Sequence, residues 1–170
     1  MFFAALVSSL ALAIGMAIYD LTVRELQVTS MTAQSQYAVF AADTGAECAL
    51  YWDFHYNGTG SAFATSSASG NPTVGSVVCN GYNVYANGTP PAVYLPPTSS
   101  TWTSWIVTAN ANAATTTFYI SFPENDRCVE VQIAKTAVPL TTIVYSHGFI
   151  NCAGAAGGAP QLERELQVSY

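Results

Sequence analysis

The chain has 170 residues, of which 51% are apolar and only 8% charged, against roughly 25% charged in an ordinary soluble domain. Its net charge is −6 with four fixed cations, Arg24, Arg127, Lys135 and Arg164, so no basic groove exists to neutralise phosphates and nucleic-acid binding by electrostatics is not expected. So few charges leave Ser, Thr, Asn, Gly and Ala to build the surface, which suits an extracellular polymer better than a crowded cytosol.

The opening MFFAALVSSLALAIGMAIY carries no charge before Asp20, and the chain then runs without Pro to Asp53, which predicts one long helix over residues 1–53. At about 1.5 Å per residue the apolar run spans roughly 28 Å, close to the hydrocarbon thickness of a bilayer, so residues 1–19 read as a membrane anchor. No cation precedes Arg24, so the run does not read as a cleavable secretory leader; any charged leader would have been removed upstream, with Met1 as the first mature residue. Gly15 is the only Gly or Pro in the run, and local loosening is expected there. Helical spacing draws two stripes beyond the anchor: Leu21, Val28, Ser35, Val39, Ala42, Ala46 and Ala49 on one side, Leu26, Ala33, Tyr37, Phe40, Thr44, Cys48 and Tyr51 roughly opposite. The large-residue stripe is expected to pack on the protein's own head, and the small-residue stripe to let another helix approach.

Residues 54–170 predict a single β-rich head. Residues 54–75 are dense in Gly, Ser, Thr and Asn and read as loop with little to anchor it. Residues 76–86 predict one or two short strands turning at Asn80-Gly81. Two Pro pairs exclude a central strand over 87–100. Residues 101–109 and 115–122 are β-branched and aromatic, joined by a turn over 110–114. Val129, Val131 and Ile133 alternate within the strand 127–135, residues 141–150 should return antiparallel to it, and 162–170 should close the sheet.

At both ends the residues resemble a family. The apolar run, its amphipathic continuation and the segment AADTGAECALYWD look like the N-terminal helix of type IV pilin-like proteins, most of all PilX-type minor pilins and pilin-like proteins of small uncultured bacteria; CVEVQIAK, TTIVYSHGFINC and ERELQVSY look like their closing sheet. Residues 54–126 carry no such likeness. The resemblance implies an α+β pilin fold, a long N-terminal helix packed on a C-terminal antiparallel sheet. It implies that Phe2, Phe3, Leu6, Leu10, Leu12, Ile14 and Ile18 lie in the inner membrane before assembly and in the filament core afterwards. It also implies an N-methylated Met1 and dealings with a pilus assembly machinery. Two positions depart from the family: Ala5 stands where many major pilins have glutamate, and no Pro follows the apolar run. With no acid at position 5, Asp20, Arg24 and Glu25 become the candidates for setting subunit register.

Cys48, Cys79, Cys128 and Cys152 allow three pairings, and chain order favours Cys48 with Cys79 and Cys128 with Cys152. The second pair matches the disulfide that brackets the C-terminal region of such pilins. Zinc is the competing reading, without a C-x-x-C and with only His147 near a cysteine. Disulfides would place the head outside the reducing cytosol. Asn57 and Asn87 head glycosylation acceptor patterns. No catalytic motif occurs: His55 and His147 are far apart, and Asp43 and Glu47, four apart on one helix face, lack a companion ligand. No cofactor, metal site or enzymatic activity is expected. The expected function is that of a structural subunit polymerising with copies of itself into an extracellular type IV pilus-like filament. The alternatives are a minor pilin priming or tipping another subunit's filament, and a membrane-anchored surface protein.

Overall fold

A computed structural model of the chain describes residues 2–57, 60–70, 72, 76–84, 105–122, 127–150 and 162–170. The expectations for Met1, the Pro-rich 87–100 stretch with Asn87, and Cys152 lie outside these residues. The layout is α+β: a helix α1 (Phe2–His55) and, among the described residues, strands β1 (Val78–Cys79), β2 (Tyr82–Asn83), β3 (Trp105–Ala109), β4 (Ala113–Phe122), β5 (Arg127–Ala137), β6 (Leu140–Ile150) and β7 (Glu163–Ser169). The chain divides into two compact units, Met1–Gln34 and Ser35–Tyr170, so the division falls inside α1. The first unit is helix throughout its described residues, Gly15 included. The two serine hydroxyls of the apolar run are satisfied locally, Ser8 donating to the Ala5 carbonyl and Ser9 to that of Leu6, which removes the need for an outside partner in an apolar setting.

In the second unit β3 to β7 form one antiparallel meander in sequence order. Its register is continuous, with Val131 opposite both Phe118 and Ser146, and Val144 opposite Val168. Alternation places Thr116, Phe118 and Ile120 of β4, Val129, Val131 and Ile133 of β5, and Val144 and Ser146 of β6 on the buried face. The predicted turn over 110–114 is held by the Asn110 side chain, whose Oδ1 accepts from the amides of Asn112 and Ala113. Asn80 (φ 50°) and Gly81 (φ 78°) turn the small β1–β2 hairpin, as the Asn-Gly dipeptide predicted. Leaving α1, Asn57 adopts φ 51°, the left-handed conformation that ends many helices and that Asn tolerates better than most residues.

The face that α1 turns to the sheet is the reverse of the one expected. Ala38, Ala41, Ala42, Gly45, Ala46 and Ala49 are buried, whereas Tyr37 and Phe40 are 44% and 61% exposed and Tyr51 is 54% exposed. The reason is closeness. A Cβ on Gly148 in β6 would overlap the Ala38 carbonyl oxygen and lie 2.6 Å from the Ala42 nitrogen, so helix backbone and strand backbone are in direct contact. A Cβ on Gly45 would likewise come within 2.6 Å of Ser146 Oγ and 2.7 Å of Val129 Cγ2. Only small residues fit such a gap, and Ser146 Oγ closes it by donating to the Ala42 carbonyl at 2.6 Å. The aromatic stripe is thereby left outside.

The loop after α1 is also anchored more firmly than its composition indicates. Ala62, Phe63 and Ala64 are buried, and the Phe63 ring stacks on Trp105 and Phe118 at 5.5 and 5.9 Å. Trp52 Nε1 donates to the Val78 carbonyl, tying the β1–β2 hairpin to α1.

On the outer face of the sheet Tyr119 sits opposite Glu130. Burial, with the charge and hydrogen bond of Glu130, pushes the Tyr119 phenol up to about 12 from its ordinary 10.0. A folded pKa above the unfolded one means that the folded state holds the proton more tightly. That contribution is complete below pH 10 and is lost as the pH rises toward 12. Tyr119→Phe should therefore lower the melting temperature at neutral pH by a margin that closes between these values, as thermal melts of both proteins across the alkaline range would reveal.

Candidate functional site

Two places concentrate what the fold leaves unexplained. The first is the uncovered surface of α1. Every described residue of the first unit is exposed except Val23, which is half-buried; Phe2 is 84% and Leu10 65% exposed. The segment is long and apolar enough to cross a membrane. Of the expected core residues, Phe2, Phe3, Leu6, Leu10, Leu12, Ile14 and Ile18 all lie uncovered. At the edge of the run Arg24 pairs with Asp20 at 3.2 Å within the helix, both side chains mostly in solvent, while Glu25 is exposed. Such an exposed i,i+4 pair contributes only about 0.3–0.5 kcal/mol. Beyond it Leu26, Val28 and Met31, and in the second unit Tyr37, Phe40, Tyr51 and Phe54, remain uncovered. Tyr37 is covered on one face by the Arg127 guanidinium, 3.8 Å from the ring centroid. Arg164 Nε donates to Ser35 Oγ at 2.9 Å. Two of the four fixed cations thus hold the helix at the head.

The second place is the end of α1, where Asp53 is only 7% exposed. Its Oδ1 accepts from Lys135 Nζ at 2.5 Å and from Ser61 Oγ, and its Oδ2 accepts from Tyr170 Oη at 2.6 Å. Lys135 Nζ also donates to Ser61 Oγ at 3.1 Å. Lys135 is 6% exposed, and it is the chain's only lysine. Four elements meet here: helix end, post-helix loop, β5, and the residue after β7, whose backbone pairs both ways with Thr142. Burial raises the Asp53 carboxyl, but the hydrogen bonds from Lys135, Ser61 and Tyr170 and the Lys135 charge outweigh it and hold the group below its ordinary value. Tyr170 is pushed well above the usual phenol range, chiefly by burial and then by its bond to Asp53. Neither Asp53 nor Lys135 was singled out by motif. The signal was the phase of β5, since position 135 continues the inward series of Val129, Val131 and Ile133, and a lysine placed inward requires a carboxylate.

Cys48 and Cys79 form a disulfide one turn of helix before this cluster. Cys128 is disulfide-bonded as well, and packs beside Phe149. Asn57 is exposed at the helix end. His147 lies within β6, where its Nδ1 is 2.8 Å from Glu163 Oε1; His55 stacks on Tyr51. Asp43 and Glu47 are both exposed on the helix. No group of metal-binding side chains occurs among the described residues.

The fold and these sites define an α+β protein with a long, apolar N-terminal helix whose part within the second unit packs on a five-stranded antiparallel sheet, an arrangement consistent with a pilin-like fold. Compared with known protein families, curated protein sequences and solved structures, the chain matches none.

Proposed function

We propose that the chain is a structural subunit that polymerises through α1 into an extracellular type IV pilus-like filament, inserted in the inner membrane before assembly. The observation that carries this reading is the extent of uncovered apolar side chain. A membrane anchor needs only about 20 residues, yet large apolar groups stay exposed from Leu21 through Met31 in the first unit and from Tyr37 through Phe54 in the second. A soluble head on a simple anchor has no use for that second stretch, whereas neighbouring copies of α1 would cover it. The Cys48–Cys79 disulfide adds that the head matures in an oxidising compartment. The reading assigns assembly rather than enzymatic activity, with no cofactor.

Phe40→Asp tests polymer against anchored monomer. Phe40 is outside the head's own core, so the variant should keep its disulfide and its fold while surface filament falls at least tenfold; unchanged filament would contradict the reading. Arg24 tests register. In a filament it would reach a carboxylate such as Glu25, Asp43 or Glu47 of an adjacent copy, in a drier setting where an unpaired charge costs several kcal/mol. Because the contact repeats at every subunit, Arg24→Glu should leave the head folded and sharply reduce filament yield. A normal yield would mean that apolar helix packing alone sets the register.

A further inference from the structure

We propose that Lys135 and Asp53 are the site of an autocatalytic intramolecular cross-link, an amide between Lys135 Nζ and Asp53 Cγ that welds the end of α1 to β5. The proposal does not depend on filament assembly. It rests on the placement of four side chains.

The amine and carboxylate are in contact at 2.5 Å, in a pocket that leaves each of them under a tenth exposed. They are 82 residues apart in sequence, so their meeting is a product of the finished fold. Held contact of this kind converts a slow bimolecular condensation into an effectively unimolecular one. Exclusion of bulk water also weakens the preference for the charged pair over its neutral form, in which one proton has passed from Nζ to Oδ1.

The two remaining residues sit where the chemistry needs them. In the neutral pair the Nζ lone pair attacks Cγ, forming the N–C bond and pushing negative charge onto Oδ2. Tyr170 Oη already donates to Oδ2 at 2.6 Å and stabilises that charge. The tetrahedral centre must then lose Oδ1 as water, which requires a second proton from nitrogen. Ser61 Oγ accepts from Nζ at 3.1 Å and donates to Oδ1, so it relays that proton. The C–Oδ1 bond breaks, one water leaves, and the nitrogen keeps one hydrogen in a neutral amide. No oxidant, cofactor or second substrate enters. The product removes two buried charges and preserves the hydrogen bond from Tyr170, now to the amide oxygen.

The chain's composition makes the test clean. Since Lys135 is the only lysine, trypsin should cut the full-length, detergent-solubilised, reduced and denatured protein after Arg24, Arg127 and Arg164 but not after an acylated Lys135. The fragments 25–127 and 128–164 should stay joined after disulfide reduction, one water lighter than their sum, and tandem mass spectrometry should place the bond at Asp53 and Lys135. Tyr170→Phe and Ser61→Ala, which leave the charged pair in place, should form the link about a hundredfold more slowly. Trypsin cleavage after Lys135 in the mature wild-type chain, with an ε-amine that takes an amine-reactive label, would overturn the proposal and leave a buried ion pair.

Discussion

Gly148→Val should undo the docking of α1, lowering stability by about 3 kcal/mol or more and leaving little folded protein at physiological temperature. The neighbours of a new Cβ at 148 are backbone atoms of Ala38 and Ala42, which belong to a continuous helix and have no rotamer through which to yield. The helix would have to lift, breaking the Ser146 to Ala42 hydrogen bond and opening the contact of Gly45 with Val129 and Val131. Gly45→Ala meets side chains and should cost less, about 1–3 kcal/mol. Gly15→Ala is the control. Nothing lies within 4 Å of its Cβ, so the substitution should favour the helix by about 1 kcal/mol. Chemical denaturation of the three variants followed by circular dichroism would rank them; equal stabilities at 148 and 15 would show that the helix is not held by close backbone contact.

Lys135→Met should cost at least about 3 kcal/mol, because it strands the Asp53 carboxylate in a site that is 7% exposed. Joined to Asp53→Leu, which removes the stranded charge, the loss should be partly recovered, since the double variant leaves no carboxylate buried without a partner. A double variant no better than the single would mean that the carboxylate's burial is not the source of the cost. The measurement is the midpoint of denaturation for wild type, both singles and the double.

These two sites also mark where the sequence was easiest and hardest to read. The strands declared themselves through alternation, as in Val129, Val131 and Ile133, and the hairpin through Asn80-Gly81, because both signals are local. The long helix was legible for the same reason, an uninterrupted apolar and then Pro-free run. Which face of that helix meets the sheet was not local. Size suggested burial of Tyr37, Phe40 and Tyr51, but the gap between helix and sheet decides what fits, and that gap is set by Gly148 on a strand more than a hundred residues away. A glycine inside a β-branched strand is the sign of such an approach. Phe63 was missed because the polar residues around it describe the loop's backbone and not its one large side chain. Asp53 lay at the boundary between expected helix and loop, and Lys135 at the expected end of a strand, so neither was read as facing inward. Of the proposed assembly site, the part given to Phe2 through Ile18 rests on the apolar run and the family resemblance, and the Asp20–Arg24 pair on a spacing of four, while the exposed aromatic face emerged only once the small residues had taken the sheet.

In the proposed filament the uncovered face of α1 is met by copies of the same chain. Appendages sheared from cells that make this protein, imaged by electron microscopy and identified by mass spectrometry, test it most directly. Filaments should appear in which this chain is the principal mass, with the disulfide between Cys48 and Cys79 intact. Filaments holding it only in trace amount, or a chain found solely as a membrane-anchored monomer, would contradict it.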